Sequence, residues 1–456
     1  MRARHATGRT TLKTPAISRT LSDYGMVLVL VILCAAFSAA TWDEQSPRGA
    51  AAGEQVAGFV RARVAPPGPI VIVAKRTPED SDFAGSIAES LRGAGYRIAA
   101  TVQGDPSELR SALSALVEAD DVPAAIACGE SPPRGLLSRL DSISPRFADV
   151  PVIAPRTYRW PNFLKSDNLL NIANQIAVIA IIAAGMTLVI VTGGIDLSVG
   201  SLVAFSSVVA AVLIRDYGGA ENASIASMIG CCAASIGACA LVGMSTGVLV
   251  TLFRNPPRIP PFIVTLSVML MASGAAYMIA EGQSVNQVPP SFVWLGRGAD
   301  LGRVPNAVVL MIAIYAAVHV LMTRTSIGRY IYAVGGNAEA ARMSGVPVRN
   351  VLVLVYSVCG GLAGLGGVVL ASQLRSGAPT YGIMYELYVI AAVVVGGTSL
   401  SGGEGRVLGT LVGAFIIAVI QNGMNLIGLE SYTQKIVLGG IILLAVLLDM
   451  MKKRLR

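Results

Sequence analysis

Charged residues are scarce in this chain of 456 residues: they make up 14% of the sequence, against about 25% in an ordinary soluble domain. Hydrophobic residues make up 54%. Such a composition excludes an intrinsically disordered protein and disfavours a soluble enzyme. It predicts a protein whose solvent is mainly lipid.

Signatures of nucleotide hydrolysis and of metal binding are also missing. The sequence contains no GxxxxGK[ST], HExxH or CxxC string and only six lysines, and its six cysteines have no spacing typical of a metal site or a disulfide framework. We therefore expect a transporter or channel rather than an enzyme, with no metal and no cofactor bound by this chain. The excess basic residues lie near the ends of apolar runs, where they fix membrane topology, so we expect no nucleic-acid partner.

Charges are concentrated in one segment. Residues 44–160 contain 13 basic and 14 acidic side chains, whereas the much longer segment 168–456 contains only 16 basic and 10 acidic ones. Strand and helix patterns alternate in the first segment, which predicts a parallel sheet covered by helices. The predicted fold class is a mainly α membrane protein with about ten transmembrane helices and one small extracytoplasmic α/β insert, residues 43–160.

Apolar runs define the rest of the chain. We predict a disordered cytoplasmic tail at 1–22 and a first transmembrane helix at 23–42, for which a cleaved signal peptide is the alternative. A membrane body at 161–451 and a cytoplasmic tail at 452–456 follow. Nine further spans cover approximately 169–192, 196–214, 224–253, 261–280, 305–322, 350–371, 385–400, 406–427 and 433–449.

The span at 385–400 is marginal in length. Basic residues favour the breaks that lie inside if the amino terminus is inside. The positive-inside rule therefore predicts a multi-pass protein of the inner (plasma) membrane with both termini in the cytoplasm and the insert outside.

Polar residues within the apolar runs are candidates for a translocation pathway. One group lies in the break Gly193-Gly194-Ile195-Asp196-Leu197-Ser198. An aspartate at bilayer depth is costly unless it is solvated or paired. Asp196 therefore either caps the next helix in a simple turn or belongs to a broken helix that faces a watery cavity. The sequence favours neither interpretation.

Further candidates lie on other spans. The string Gly396-Gly397-Thr398-Ser399-Leu400-Ser401 follows the first break by about 203 residues, which indicates an internal repeat or a coincidence in a glycine-rich chain. Three amide side chains share one face of the second span: Asn171, Asn174 and Gln175. They either join helices or contact a polar solute. Glu386 begins the marginal span, where a carboxylate can also stabilise a helix amino terminus. The pathway candidates are Asn171, Asn174, Gln175, Gly193, Gly194, Asp196, Ser198, Glu386, Gly396 and Gly397.

The loop at 323–349 is long and basic and is predicted to lie inside. Its composition favours a short helix near 339–343, bounded by Gly335-Gly336-Asn337 before it and Gly345 after it. A short helix between glycines is suited to dock a cytoplasmic partner. The alternative is a surface loop without a partner.

Three strings carry a family resemblance: AAGMTLVIVTGGIDLSVGS (183–201), GRYIYAVGGNAEAARMSGV (328–346) and AAVVVGGTSLSGGEGRVLGTLVGA (391–414). In their order and spacing they resemble the permease subunit of ribose-type, monosaccharide ABC importers, and the resemblance covers 24–42 and 160–456.

The resemblance implies a set of partners. Two permease copies, identical or closely paralogous, would form the pathway in membrane lipid, and two cytoplasmic ATPase subunits holding ATP-Mg would power it. An extracytoplasmic sugar-binding protein would deliver the substrate. The residues implied in coupling to the ATPase are Gly335, Gly336, Asn337, Glu339, Ala340, Ala341 and Gly345. Pro347 departs from the wider importer motif, so the exact footprint is not implied.

The insert resembles, more weakly, one lobe of the periplasmic sugar-binding proteins that serve such importers, through its strings at 71–96 and 104–129. Because such binders close on a ligand between two lobes, we expect a docking or sensing module rather than a full receptor. A purely structural insert is the alternative.

Two other functions stay open at this point. One is a secondary, ion-coupled transporter in which Asp196 or Glu386 titrates. The other is a membrane-anchored sugar sensor that uses the outer domain for signalling.

Overall fold

The computed structural model of the protein describes residues 16–129, 137, 139–252 and 260–454. The chain divides into two compact units, one comprising Met1–Thr41 and Phe163–Arg456 and the other Trp42–Asn162. The first helix, α1 (Ala16–Ala40), begins within the segment predicted as a disordered tail. The remainder of that predicted tail lies outside the described residues.

The second unit contains the predicted α/β pattern. Its elements are β1 (Trp42–Gln45), α2 (Gly49–Arg63), β2 (Pro69–Ala74), α3 (Pro78–Gly93), β3 (Arg97–Gln103), α4 (Pro106–Glu118), β4 (Ala125–Cys128), β5 (Val152–Ile153) and β6 (Tyr158–Pro161). Four strands form one sheet in the order β3-β2-β4-β5, and all neighbours are parallel. The predicted small parallel sheet is therefore confirmed.

Successive side chains of β2 pack on opposite faces of the sheet, and both faces are buried. Ile70 and Ile72 pack in one core with residues of α2 and α3, whereas Val71 packs in a second core with Leu113 of α4 and Phe147. Successive strand residues point to opposite faces, so a sheet with helices on both sides needs apolar residues at every position.

A two-stranded antiparallel ribbon of β1 and β6 closes this unit. Trp42 pairs with Pro161 and Gln45 with Tyr158, and the Gln45 side-chain amide donates to Asn162 Oδ1 at 2.9 Å. The two strands are separated by more than a hundred residues, so no local hairpin signal predicts them. The ribbon brings the two ends of the unit next to each other.

The first unit continues with twelve helices in the described part of the chain. They are α5 (Ser166–Val191), α6 (Val199–Asp216), α7 (Ile225–Thr251), α8 (Pro261–Ile279), α9 (Trp294–Arg297), α10 (Asn306–Arg324), α11 (Ser326–Gly336), α12 (Ala338–Met343), α13 (Val348–Leu374), α14 (Tyr385–Val395), α15 (Val407–Leu426) and α16 (Ser431–Arg454).

Seven helices in the described ranges are long and apolar enough to cross a membrane: α5, α6, α7, α8, α10, α13 and α15. The apolar part of α1 and the whole of α14 are shorter. With 11 residues, α14 is about 16 Å long, roughly half the hydrocarbon thickness of a bilayer. The predicted marginal span at 385–400 therefore contains a half-length helix.

Helix α5 lies at the centre of the helical unit. Every residue from Ile176 to Val191 is buried, which requires neighbours on all sides. It packs against α10, α13, α14 and α15.

Helices α7 and α13 approach each other through glycines spaced four residues apart, Gly243 and Gly247 on one and Gly360 and Gly364 on the other. A Cβ atom on Gly360 would lie 2.5 Å from the Cys239 carbonyl oxygen, and one on Gly247 would lie 2.7 Å from a backbone atom of α13. Small residues let helix backbones pack closely where burial of apolar surface cannot drive association.

This contact predicts different effects for two adjacent glycines. Gly360→Ala should lower the free energy of unfolding by about 1–3 kcal/mol because its methyl group meets backbone. Gly361→Ala should have no such effect, because the nearest atom would be the Ala240 side chain at an ordinary 3.5 Å. Thermal unfolding of the two purified variants in detergent measures the difference, and equal midpoints would contradict the proposed packing.

Candidate functional site

Helix α5 ends in a tight turn at the first predicted break. The Gly193 N–H donates to the Ile190 carbonyl at 2.9 Å, and the Gly194 N–H donates to the Val189 carbonyl at 3.0 Å. Gly193 has φ +80°, a conformation that favours glycine. This is a Schellman ending, which satisfies carbonyls that the helix leaves free.

Helix α14 ends in the same way at the second break. The Gly397 N–H donates to the Val394 carbonyl at 2.9 Å, and the Thr398 N–H donates to the Val393 carbonyl at 3.1 Å. Gly397 has φ +87°. The left-handed residue is thus the first glycine of the pair Gly193-Gly194 but the second glycine of the pair Gly396-Gly397.

The segment after each turn also repeats. Asp196 Oδ1 accepts from the Ser198 N–H at 2.9 Å, and Ser399 Oγ accepts from the Ser401 N–H at 3.2 Å. Both side chains bond to the backbone two residues later, a local turn that Asp and Ser favour. Each string therefore contains a helix-ending turn followed by a side chain that bonds to the backbone, but in the second string the two features lie one residue closer together.

Asp196 is completely buried. Its Oδ1 also accepts from the Ser198 hydroxyl at 2.6 Å, and its carboxylate lies against the Cys359 thiol. The nearby Tyr356 hydroxyl has no hydrogen-bond partner among the described residues. The bonds of Asp196 Oδ1 form a turn just before α6, whose N-cap residue is Ser198 and has no side-chain cap. The interpretation of Asp196 and Ser198 as pathway residues stays a prediction.

Glu386 lies in the first turn of α14 and against the first turn of α6. A Cβ atom on Gly200 would overlap the Glu386 carboxylate and would lie 2.6 Å from the Gly382 carbonyl oxygen. The carboxylate is thus close to two helix amino termini, whose partial positive charge stabilises an anion.

The three predicted amides of α5 are not used alike. Gln373 Nε2 donates to the Asn174 backbone carbonyl at 3.0 Å and to the Asn174 side-chain Oδ1 at 3.4 Å, which joins α5 to α13, whereas Asn171 and Gln175 are exposed. A stronger pair had not been predicted: Asn168 and Asn422 exchange hydrogen bonds of 3.0 and 2.8 Å. Each lies in a polar group at the end of an apolar run, directly after Asp167 and Gln421 respectively, and this is the signal that could have identified them.

The loop at 323–349 contains the expected short helix. Asn337 caps α12, since its Oδ1 accepts from the N–H groups of Glu339 and Ala340, both at 3.0 Å. After α12 the chain turns at Gly345, which has φ +85°. Ala341 is buried and Ala340 is exposed, so the helix has an inner and an outer face.

The outer face of α12 has charged and apolar side chains. Glu339 and Arg342 form an exposed ion pair. The Met343 side chain is 83% exposed. An isolated exposed ion pair adds little stability, and an exposed methionine adds none, so these residues are available to a partner.

Backbone contacts join this loop to both breaks at what we name the glycine junction. It comprises Val191, Gly193, Gly335, Gly336, Gly402 and Gly403. The Gly403 N–H donates to the Val191 carbonyl at 2.8 Å. A Cβ atom on Gly335 would overlap that carbonyl, and one on Gly402 would lie 2.9 Å from the Gly335 carbonyl oxygen and 3.0 Å from the Gly193 nitrogen.

The junction predicts that Gly335→Ala lowers the stability of the protein and that Gly336→Ala leaves it unchanged. The first should lower stability by at least about 1–3 kcal/mol, because its methyl group meets a backbone that cannot rotate away. The second should be neutral, because no described atom lies within 4 Å of a Cβ atom at Gly336. Unfolding midpoints in detergent test this, and an unchanged midpoint for Gly335→Ala would contradict the close approach.

Comparison with known proteins gives a family. Residues 168–446 match the family described as the branched-chain amino acid transport system permease component. The ribose import permease protein RbsC of Escherichia coli (strain K12) is 46% identical over 297 residues, which cover 64% of this chain and 88% of that protein. RbsC of Bacillus subtilis (strain 168) is 44% identical over 294 residues, 64% of this chain and 87% of that protein.

The D-allose transport system permease protein AlsC of Escherichia coli (strain K12) is 35% identical over 287 residues, which cover 63% of this chain and 84% of that protein. No solved structure matches the chain. The family match at 168–446 includes both breaks and the loop at 323–349. This chain is therefore a multi-pass inner-membrane protein that belongs to the permease component family of transport systems.

Proposed function

We propose that this chain is the permease subunit of an ATP-binding-cassette importer for a monosaccharide of the ribose type. The observation that carries the proposal is the 46% identity to a ribose import permease across 88% of that protein. A D-allose permease at 35% identity supports a sugar rather than an amino acid. The chain forms the translocation pathway and leaves ATP hydrolysis to separate cytoplasmic subunits, which hold ATP-Mg.

The coupling surface for those ATPase subunits is the outer face of α12. The cap on Asn337 fixes the start of this helix, and the turn at Gly345 fixes its end. On this short helix the ion pair of Glu339 and Arg342 is exposed next to Met343, an exposed apolar side chain that can act as an anchor. Such an anchor with polar surroundings is the usual composition of an interaction site.

Our proposal for the topology has ten crossings with both termini in the cytoplasm. The seven long apolar helices account for seven of these crossings. Helices α1, α14 and α16 supply the other three, with α14 as a half-length helix entered from the outside. A second permease copy completes the pathway, and a sugar-binding protein delivers the substrate outside.

The α/β unit is proposed to be extracytoplasmic and to dock or sense that binding protein. The edge expected to meet a partner is predicted as loops near 77–83 and 129–131, but α3 begins at Pro78, so the first part consists of the short loop after β2 and the first turns of α3, and the second begins at Gly129 after β4. A Cβ atom on Gly129 would lie 3.3 Å from Asp80 Oδ1, so the two loops adjoin. Residues 130 and 131 lie outside the described residues.

Reconstitution tests the function directly. Proteoliposomes that contain this chain and its ATPase subunits should accumulate ribose only with ATP, in the presence of the binding protein, and vanadate should abolish uptake. An imposed proton or sodium gradient should not replace ATP. Uptake driven by such a gradient alone would instead support the secondary transporter, and no uptake of any sugar would support the sensor.

A charge reversal tests the coupling surface. Glu339→Lys should lower ATP-driven uptake by about tenfold or more, because it places a cation beside Arg342 and reverses a charge at the interface. Glu430→Lys is the matched control, since Glu430 is also exposed and lies after α15. Equal uptake by both variants, with equal amounts of protein in the membrane, would refute the role of α12.

A further inference from the structure

We propose that the glycine junction and the Tyr332 hydroxyl act as one rigid clamp, which transmits a movement of α12 to both breaks at the same time. Tyr332 is then a positioning residue of the transport cycle. The inference rests on the proposed function, because it assumes that a partner moves α12.

The first step concerns the stiffness of the junction. Its contacts join backbone to backbone, and at Gly335, Gly402 and Gly403 even a methyl group would overlap or lie within about 3 Å of other backbone atoms. Side chains can relieve strain by changing rotamer, but packed backbones cannot, and tightly packed interiors transmit displacement. A shift of Gly335 must therefore displace Val191 and Gly403.

The second step concerns the connection to α12. Helix α11 ends at Gly336, Asn337 caps α12, and α12 begins at Ala338. A single residue, whose side chain is itself held by two hydrogen bonds, separates the junction from the proposed docking helix. No flexible linker can absorb a movement at this point.

The third step concerns the two breaks. Val191 is the last residue of α5, and its carbonyl accepts from Gly403 in the segment between α14 and α15. Gly335 lies against both partners of this hydrogen bond. The end of α11 thus contacts the first break and the second break in one place, and neither can move away without breaking the bond between them.

The fourth step concerns Tyr332, which lies one turn before Gly335 on α11 and adds a side-chain contact. Its hydroxyl donates to the Gly405 carbonyl at 2.7 Å. Burial raises the pKa of Tyr332, so the hydroxyl keeps its proton and remains a donor. A Cβ atom on Gly405 would lie 2.7 Å from Thr398 and 2.8 Å from Val191, so this carbonyl belongs to the same packed region.

The test compares Tyr332→Phe with Tyr330→Phe in the reconstituted complex. The measured quantity is sugar taken up per ATP hydrolysed. Tyr332→Phe removes one hydrogen bond and should lower this ratio by about two- to tenfold while ATP hydrolysis continues. Tyr330 is exposed on the same helix, and its variant should keep the wild-type ratio.

A second pair of variants isolates the contact itself. Gly403 and Gly428 both have positive φ, +77° and +76°, so an alanine is equally strained at either. Only at Gly403 would its methyl group meet the coupling loop, 3.1 Å from Gly336, whereas Gly428 has no described atom within 4 Å. Gly403→Ala should lower the transport ratio, and Gly428→Ala should not.

The outcomes separate the two proposals. A wild-type ratio in both Tyr332→Phe and Gly403→Ala would overturn the clamp and leave the importer intact. An equal fall in the variants and their controls would also overturn it. If the wild-type complex shows no ATP-dependent uptake at all, the proposed function fails, and the clamp fails with it.

Discussion

Lipid offers the backbone no hydrogen-bond partners, and the helical unit depends on this constraint. A helix that stops inside such a unit must satisfy its free carbonyls within the protein. The ends of α5 and α14 do this with the same Schellman turn and with a polar side chain that bonds two residues ahead. The carbonyl of Val191 is satisfied by the second break, so the two interruptions stabilise each other.

Glycine makes this arrangement possible in two different ways. At Gly193, Gly397 and Gly345 it supplies the left-handed conformation that ends a helix. At Gly335 and Gly360 two backbones pack so closely that a Cβ atom would not fit, and glycine has none. At these positions glycine therefore serves close packing and turns, and not flexibility.

Much of the local structure could be predicted because its causes are local. The apolar run of β2, the helical pattern of α4 and the glycine-bounded helix α12 each depend on neighbours in sequence. Predictions that required distant partners were poorer. The amides of α5 were expected to act as a set because they share a helix face, but only Asn174 meets Gln373. The pair of Asn168 and Asn422, the ribbon of β1 and β6, and the glycine contacts of α7 with α13 involve residues far apart in the chain.

The sequence by itself determined the membrane environment, the α/β character of the insert, the positions of both breaks and the family, because hydropathy, periodicity and motif spacing are properties of short segments. Only the tertiary structure decided that Gly335, Val191 and Gly403 meet. A glycine in the sequence shows that a Cβ atom is absent at that position, but it does not indicate which part of the backbone packs there. That information lies in the packing of α5, α11 and the segment after α14, which no local pattern specifies.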